Sequence, residues 1–109
     1  MSAPILPTIH AAGVATDGSD AVDRGAELIR PAAETRRRAG EDIVVCGPDP
    51  FANDRLAHNI EQAVTPPGSR CLHHGPHLGS QSLPHWQHKP PRDSGHSFYE
   101  TPVRKARVP

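Results

Sequence analysis

Residues 42–64, DIVVCGPDPFANDRLAHNIEQAV, decide how the rest of this chain is read. The first five, DIVVC, are short and β-branched, and the breaker GPDP follows at once. That combination predicts a strand over 42–46. PFANDRLAHNIEQAV then places Leu56, Ile60, Ala63 and Val64 at i, i+4, i+7 and i+8, one face of an α-helix. Asn53 or Asp54 is expected to cap this helix, Phe51 to staple its entry, and Thr65-Pro66-Pro67-Gly68 to end it. A strand running straight into an amphipathic helix predicts an α+β domain: one or two helices packed on a short antiparallel sheet.

Upstream, residues 1–18 are small and patternless and read as a flexible leader. Residues 19–40 read as a weak helical segment, with Ser19 or Asp20 as cap and Val22, Ala26, Ile29 and Ala33 on one face. Gly25 and Pro31 weaken it, and the helix should kink or restart at Pro31, which has no N–H. Arg36, Arg37 and Arg38 suit a helix C-terminus, and Gly40 is the stop signal. Downstream, RCLHH, LPHWQ and HSFYE are short extended candidates, separated by loops rich in Gly and Pro. The compact His-rich domain is therefore expected over 41–101, with a solvated basic tail over 102–109.

Composition limits the core. The chain has 109 residues, 35% of them hydrophobic and 4% aromatic, with 13 prolines. This is low for a packed domain and predicts one small core with fewer than about 80 ordered residues. The formal net charge is 0, but residues 1–69 carry −4 and residues 70–109 carry +4. That asymmetry favours a polyanionic partner or contact between the halves. No stretch has the length or apolarity of a membrane span, and the start has no basic n-region of a signal peptide. Cys46 and Cys71 form no CxxC pair, so free thiols are the default over a disulfide or a zinc knuckle.

Six of the eight histidines fall between His73 and His96. Imidazole titrates near neutral pH, so the cluster is an excess of proton carriers or metal ligands. In the first reading the site is a metal-independent nuclease. One imidazole takes the 2′-OH proton and another protonates the leaving 5′ oxygen. His77 and His96 are the expected acid/base pair, with His85 and His74 as further candidates and Arg92 as the phosphate-stabilising cation. Lys89 and Arg70 would bind phosphate, while Trp86 and Tyr99 would stack bases, with RNA favoured over DNA. In the second reading Cys71, His73, His77, His85 and His88 converge on a divalent metal, zinc foremost, in a catalytic site or in a non-enzymatic zinc-binding or interaction module. The third reading is a polar surface segment, against which LPHWQ and GHSFYE argue. His58 is expected to be a surface residue, and His10, in the leader, to have no role.

The segment NDRLAHNIEQA…HHGPHLGSQSLPHWQ…SGHSFYE resembles the short C-terminal effector domains of bacterial polymorphic toxin systems, over residues 47–100. The resemblance implies a nuclease toxin attacking target-cell RNA or DNA, with His74, His77, His85 and His96 at the site and Tyr99 beside the last. It also implies an immunity protein as partner. Such domains end long secreted proteins, whereas this chain starts at its own Met1. It is expected to be cytoplasmic as encoded, or secreted as part of a larger toxin.

Overall fold

A computed structural model describes residues 6–76, 79–92 and 94–108. The chain runs β1 (Thr8–Val14), β2 (Val22–Leu28), α1 (Arg30–Arg38), β3 (Ile43–Cys46), α2 (Pro50–Val64), β4 (Arg70–His74), β5 (His85–Lys89) and β6 (Ser97–Tyr99). The six strands form one sheet in the order β2-β1-β3-β6-β5-β4. Every pair is antiparallel except β3 with β6. The fold is α+β as expected, although the sheet is larger and the β3–β6 pair parallel.

All four residues of β3 are buried, because IVVC lies mid-sheet with both faces covered. On one face Ile9, Ile43, Val45 and Tyr99 pack with Ala33 of α1 and Ala57 and Ile60 of α2. On the other, Ala12, Val22, Val44, Cys46 and Phe98 pack under Leu83, with Ala106 against them. Both helices therefore share one side of the sheet, and loop segments cover the other.

The α2 helix forms where the apolar spacing places it, but its ends differ from expectation. The cap is Asp49, whose carboxylate accepts from the N–H groups of Phe51 and Ala52 at 3.0 and 3.3 Å. Asn53 is instead buried, donating from Nδ2 to the carbonyls of Gly47 and Glu100 at 2.9 and 3.1 Å. Phe51 staples nothing: it is 83% exposed.

Three further expectations are corrected. The supposed leader contributes β1, which pairs with both β2 and β3 and buries Ile9 and Ala12. Residues 22–28 are strand β2, not the start of a helix. A bulge between His10 and Ala12 sets Gly25 close against Ala11, where an added Cβ would lie 3.1 Å from the Ala11 carbonyl. The helix begins only at Arg30, with Pro31 in its first turn, where a missing N–H is harmless. The tail is not merely solvated. Arg107 exchanges main-chain hydrogen bonds with Val22 and Arg24 and pairs with Asp23 at 2.7 Å, closing the β2 edge of the sheet.

Candidate functional site

Strand alternation sorts the histidines. Side chains along β4, β5 and β6 point to opposite faces in turn. His74 lies opposite His85 in the β4–β5 pair, and His85 lies opposite Phe98 in the β5–β6 pair. These three share the loop-covered face with His96, which stacks on Phe98 at 4.9 Å between ring centroids. His85 touches both other imidazoles, with centroids 5.3 Å from His74 and 4.7 Å from His96. The result is a row of three rings across three strands.

Each ring is held by a different means. Asp42, at the entry to β3, accepts at Oδ1 from the His96 main-chain N–H at 2.8 Å and bonds His96 Nδ1 at 3.0 Å. That bond fixes the ring and turns Nε2 outward. Buried His85 lies 3.3 Å from the Leu83 carbonyl through Nδ1, which places a proton on that nitrogen. Half-buried His74 is held below the ordinary imidazole range, first by burial and then by the nearby Lys89 charge.

A small cleft of about 60 Å³ opens over the His85–His96 part of the row, lined by Val14, Asp20, Ser82, Leu83, His85, His96 and Phe98, and His74 lies outside it. Its rim over 79–83 is fixed from the C-terminal segment, where Arg104 Nη1 donates to the carbonyls of Gly79 and Ser82 at 2.8 and 2.9 Å. Asp20 enters from the β1–β2 turn at φ 56°, a left-handed conformation that Asp tolerates better than most residues.

The helix-covered face carries two other polar groups. In the first, His58 stacks on Trp86 with centroids 3.7 Å apart, and His73 lies on Trp86 at 4.8 Å. Trp86 Nε1–H donates to Asp54 at 2.7 Å, and the Tyr99 hydroxyl meets His73 Nε2 at 2.6 Å. Burial and the Asp54 charge push the Tyr99 phenol up to about 12. In the second, Glu61 is wholly buried and bound by Arg37 through Nε and Nη2, both at 2.9 Å. His88 Nδ1 at 2.7 Å and Ser97 Oγ at 2.8 Å complete its shell. Cys71 faces the same side, its thiol raised by burial and then by the Glu61 charge.

Of the residues expected at the site, His74, His85 and His96 come together, while His77 lies outside the described residues. Trp86 and Tyr99 point to the opposite face, with Trp86 covered by His58 and His73, so neither offers an open stacking surface to the row. Arg92 is exposed beyond the end of β5 and does not line the cleft. Lys89 and Arg70 pair at the outer ends of β5 and β4, with only Lys89 felt by His74. The expected metal set is divided: Cys71, His73 and His88 face the helices and His85 faces away. Among the described residues no group of three or more His, Cys, Asp or Glu could hold a metal ion. His58 packs on Trp86 and is not a free surface histidine, while His10 lies not in a leader but buried in β1, its Nδ1 meeting the Gly25 carbonyl. Asp42 and Asp20 went unread because their place beside the row depends on contacts far apart in sequence.

No family model, curated protein or solved structure matches the chain. No helix among the described residues is long and apolar enough to cross a membrane.

Proposed function

We propose that the chain is a nucleic-acid hydrolase of the ribonuclease type, in which the histidine row transfers protons with no required cofactor. The observation that carries this reading is the Asp42–His96 pair beside His85 and His74 on one sheet face. His74, kept unprotonated near neutral pH by its lowered pKa, is the base that takes the 2′-OH proton. The freed oxygen attacks phosphorus and the P–O5′ bond breaks. His96, oriented by Asp42, returns a proton to the departing 5′ oxygen. His85 lies between them and sets their spacing. The cleft is too small to enclose a nucleotide, so a strand would lie across it and present one phosphate. A role as a bacterial toxin effector, with an immunity protein as partner, belongs to the same proposal.

The test is incubation with total RNA and with plasmid DNA, each with and without EDTA, for the wild type and His96→Ala. RNA cleavage that survives EDTA and disappears in a folded His96→Ala protein is expected. Asp42→Asn should slow cleavage by up to about 10⁴-fold, the loss expected when the carboxylate that orients a catalytic imidazole becomes an amide and the ring takes the wrong tautomer. Unchanged cleavage by His96→Ala, or no cleavage by the wild type, overturns the assignment. Cleavage lost to EDTA overturns its metal-free chemistry.

A further inference from the structure

The first and middle turns of α2 present a stripe that the histidine row does not use. Phe51, Asp54, Arg55 and His58 fall at i, i+3, i+4 and i+7, on one side of the helix. With Trp86 they line a cleft of about 240 Å³ on the helix-covered side of the sheet. This is below the roughly 300–1,000 Å³ of a pocket for a drug-sized ligand, so a single planar base fits and a sugar-phosphate stays outside. One wall is the stacked His58–Trp86 pair, and Phe51 at the other end is 83% exposed. A phenyl ring held in water on the first turn of a helix offers an open face for stacking.

The polar groups narrow the ligand. Trp86 Nε1–H occupies Asp54 Oδ1, which fixes the carboxylate in place. Asp54 Oδ2 makes no hydrogen bond among the described residues and remains an acceptor at the edge of the cleft. Guanine offers two adjacent donors, N1–H and the N2 amino group, to such a carboxylate. Adenine has no N1–H and would set its N1 lone pair against the negative charge. Arg55, exposed and without an ion pair among the described residues, stands beside Asp54 to meet the attached phosphate.

We propose that this cleft is a base-binding site selective for guanine, with Phe51 as stacking face, Asp54 as the group that reads the base edge and Arg55 as the phosphate contact. The site is separate from the histidine row, lies on the opposite face of the sheet and does not depend on the nuclease reading. The same chemistry serves a free guanine nucleotide or a guanine within single-stranded RNA, so both are tested.

Isothermal titration of the full chain with GMP, AMP, and short oligoguanylate and oligoadenylate strands separates the cases. GMP or the guanylate strand should bind at least about tenfold more tightly than its adenine counterpart. A gain confined to the strand would identify RNA as the source, and equal affinity per base would identify the free nucleotide. Asp54→Asn keeps an acceptor for Trp86 while turning an acceptor into a donor at the base edge, and should erase the preference. Phe51→Ala, at an exposed position that the fold does not need, should weaken both bases about tenfold. No binding by any ligand up to about 5 mM, equal affinity for guanine and adenine, or a preference that survives Asp54→Asn overturns the proposal. Each readout is a binding constant, so absence of nuclease activity would leave the result intact.

Discussion

Replacing Glu61 with leucine should be among the most damaging single changes in the described structure. The side chains of Glu61 and Arg37 are both 0% exposed, and the carboxylate takes four hydrogen bonds: two from Arg37 and one each from His88 and Ser97. Without it a guanidinium stays buried with only the carbonyls of Glu41 and Ser94 as partners. Breaking a buried pair from one side costs about 3–5 kcal/mol. A domain of this size is stable by roughly 5–15 kcal/mol, so much of its margin would go. At about 4–8 °C per kcal/mol, the melting temperature should fall by about 12 °C or more. The double variant Arg37→Met/Glu61→Leu removes both charges and fills the space with apolar atoms. It still strands the His88 N–H and Ser97 O–H, at about 1 kcal/mol each, so it should cost less than Glu61→Leu alone. Urea unfolding of the two single variants and the double variant measures this. A double variant whose loss equals the sum of the singles would refute the reasoning, because the pair would then have no coupling to recover.

Two further outcomes follow from specific contacts. Tyr99 is the only tyrosine, so its phenolate absorbance reports one group, and its midpoint should lie near 12 in the folded protein instead of near 10. Burial disfavours the charged form, so the stabilisation is present below pH 10 and is lost as pH rises from 10 towards 12; a midpoint of 10 with circular dichroism unchanged would refute this. Gly47→Ala should destabilise by about 1–3 kcal/mol in thermal unfolding, because the new Cβ would sit 2.9 Å from Asn53 Oδ1 and 3.2 Å from Pro7 Cα, and a neutral result would mean that the buried Asn53 can shift.

What could be read from the sequence was local. IVVC and the spacing of Ile60 and Val64 are strong signals that depend on nothing distant, and both elements formed where the residues place them. TIHAAGV and VDRGAEL are weak because small residues, a glycine and exposed charges fit a loop or a poor helix equally well. They become strands through pairing with β3 and with Arg107, which no local pattern shows. The histidine cluster was visible as composition, and its division was within reach. In RCLHH and LPHWQ, period-two alternation already separates His73 from His74 and His85 from Trp86. Asp42 was out of reach: it meets His96 from 54 positions away, across the parallel β3–β6 contact.

That contact also explains why the row sits where it does. A parallel pair buried mid-sheet is a rigid base, and here it carries Asp42 at the entry to one strand and His96 at the entry to the other. His85 is one strand further out, paired with Phe98, so the spacing of the row is set by strand separation and not by flexible side chains. The cover over this face consists of short segments around Leu83 and Ala106, held by Arg104 and Glu100. A cleft can open between such segments without removing any contact from the helix-side core. Rigid strands below and loops above form the arrangement that the proposed hydrolase would need, with the side chains held in place and the face still open to a strand.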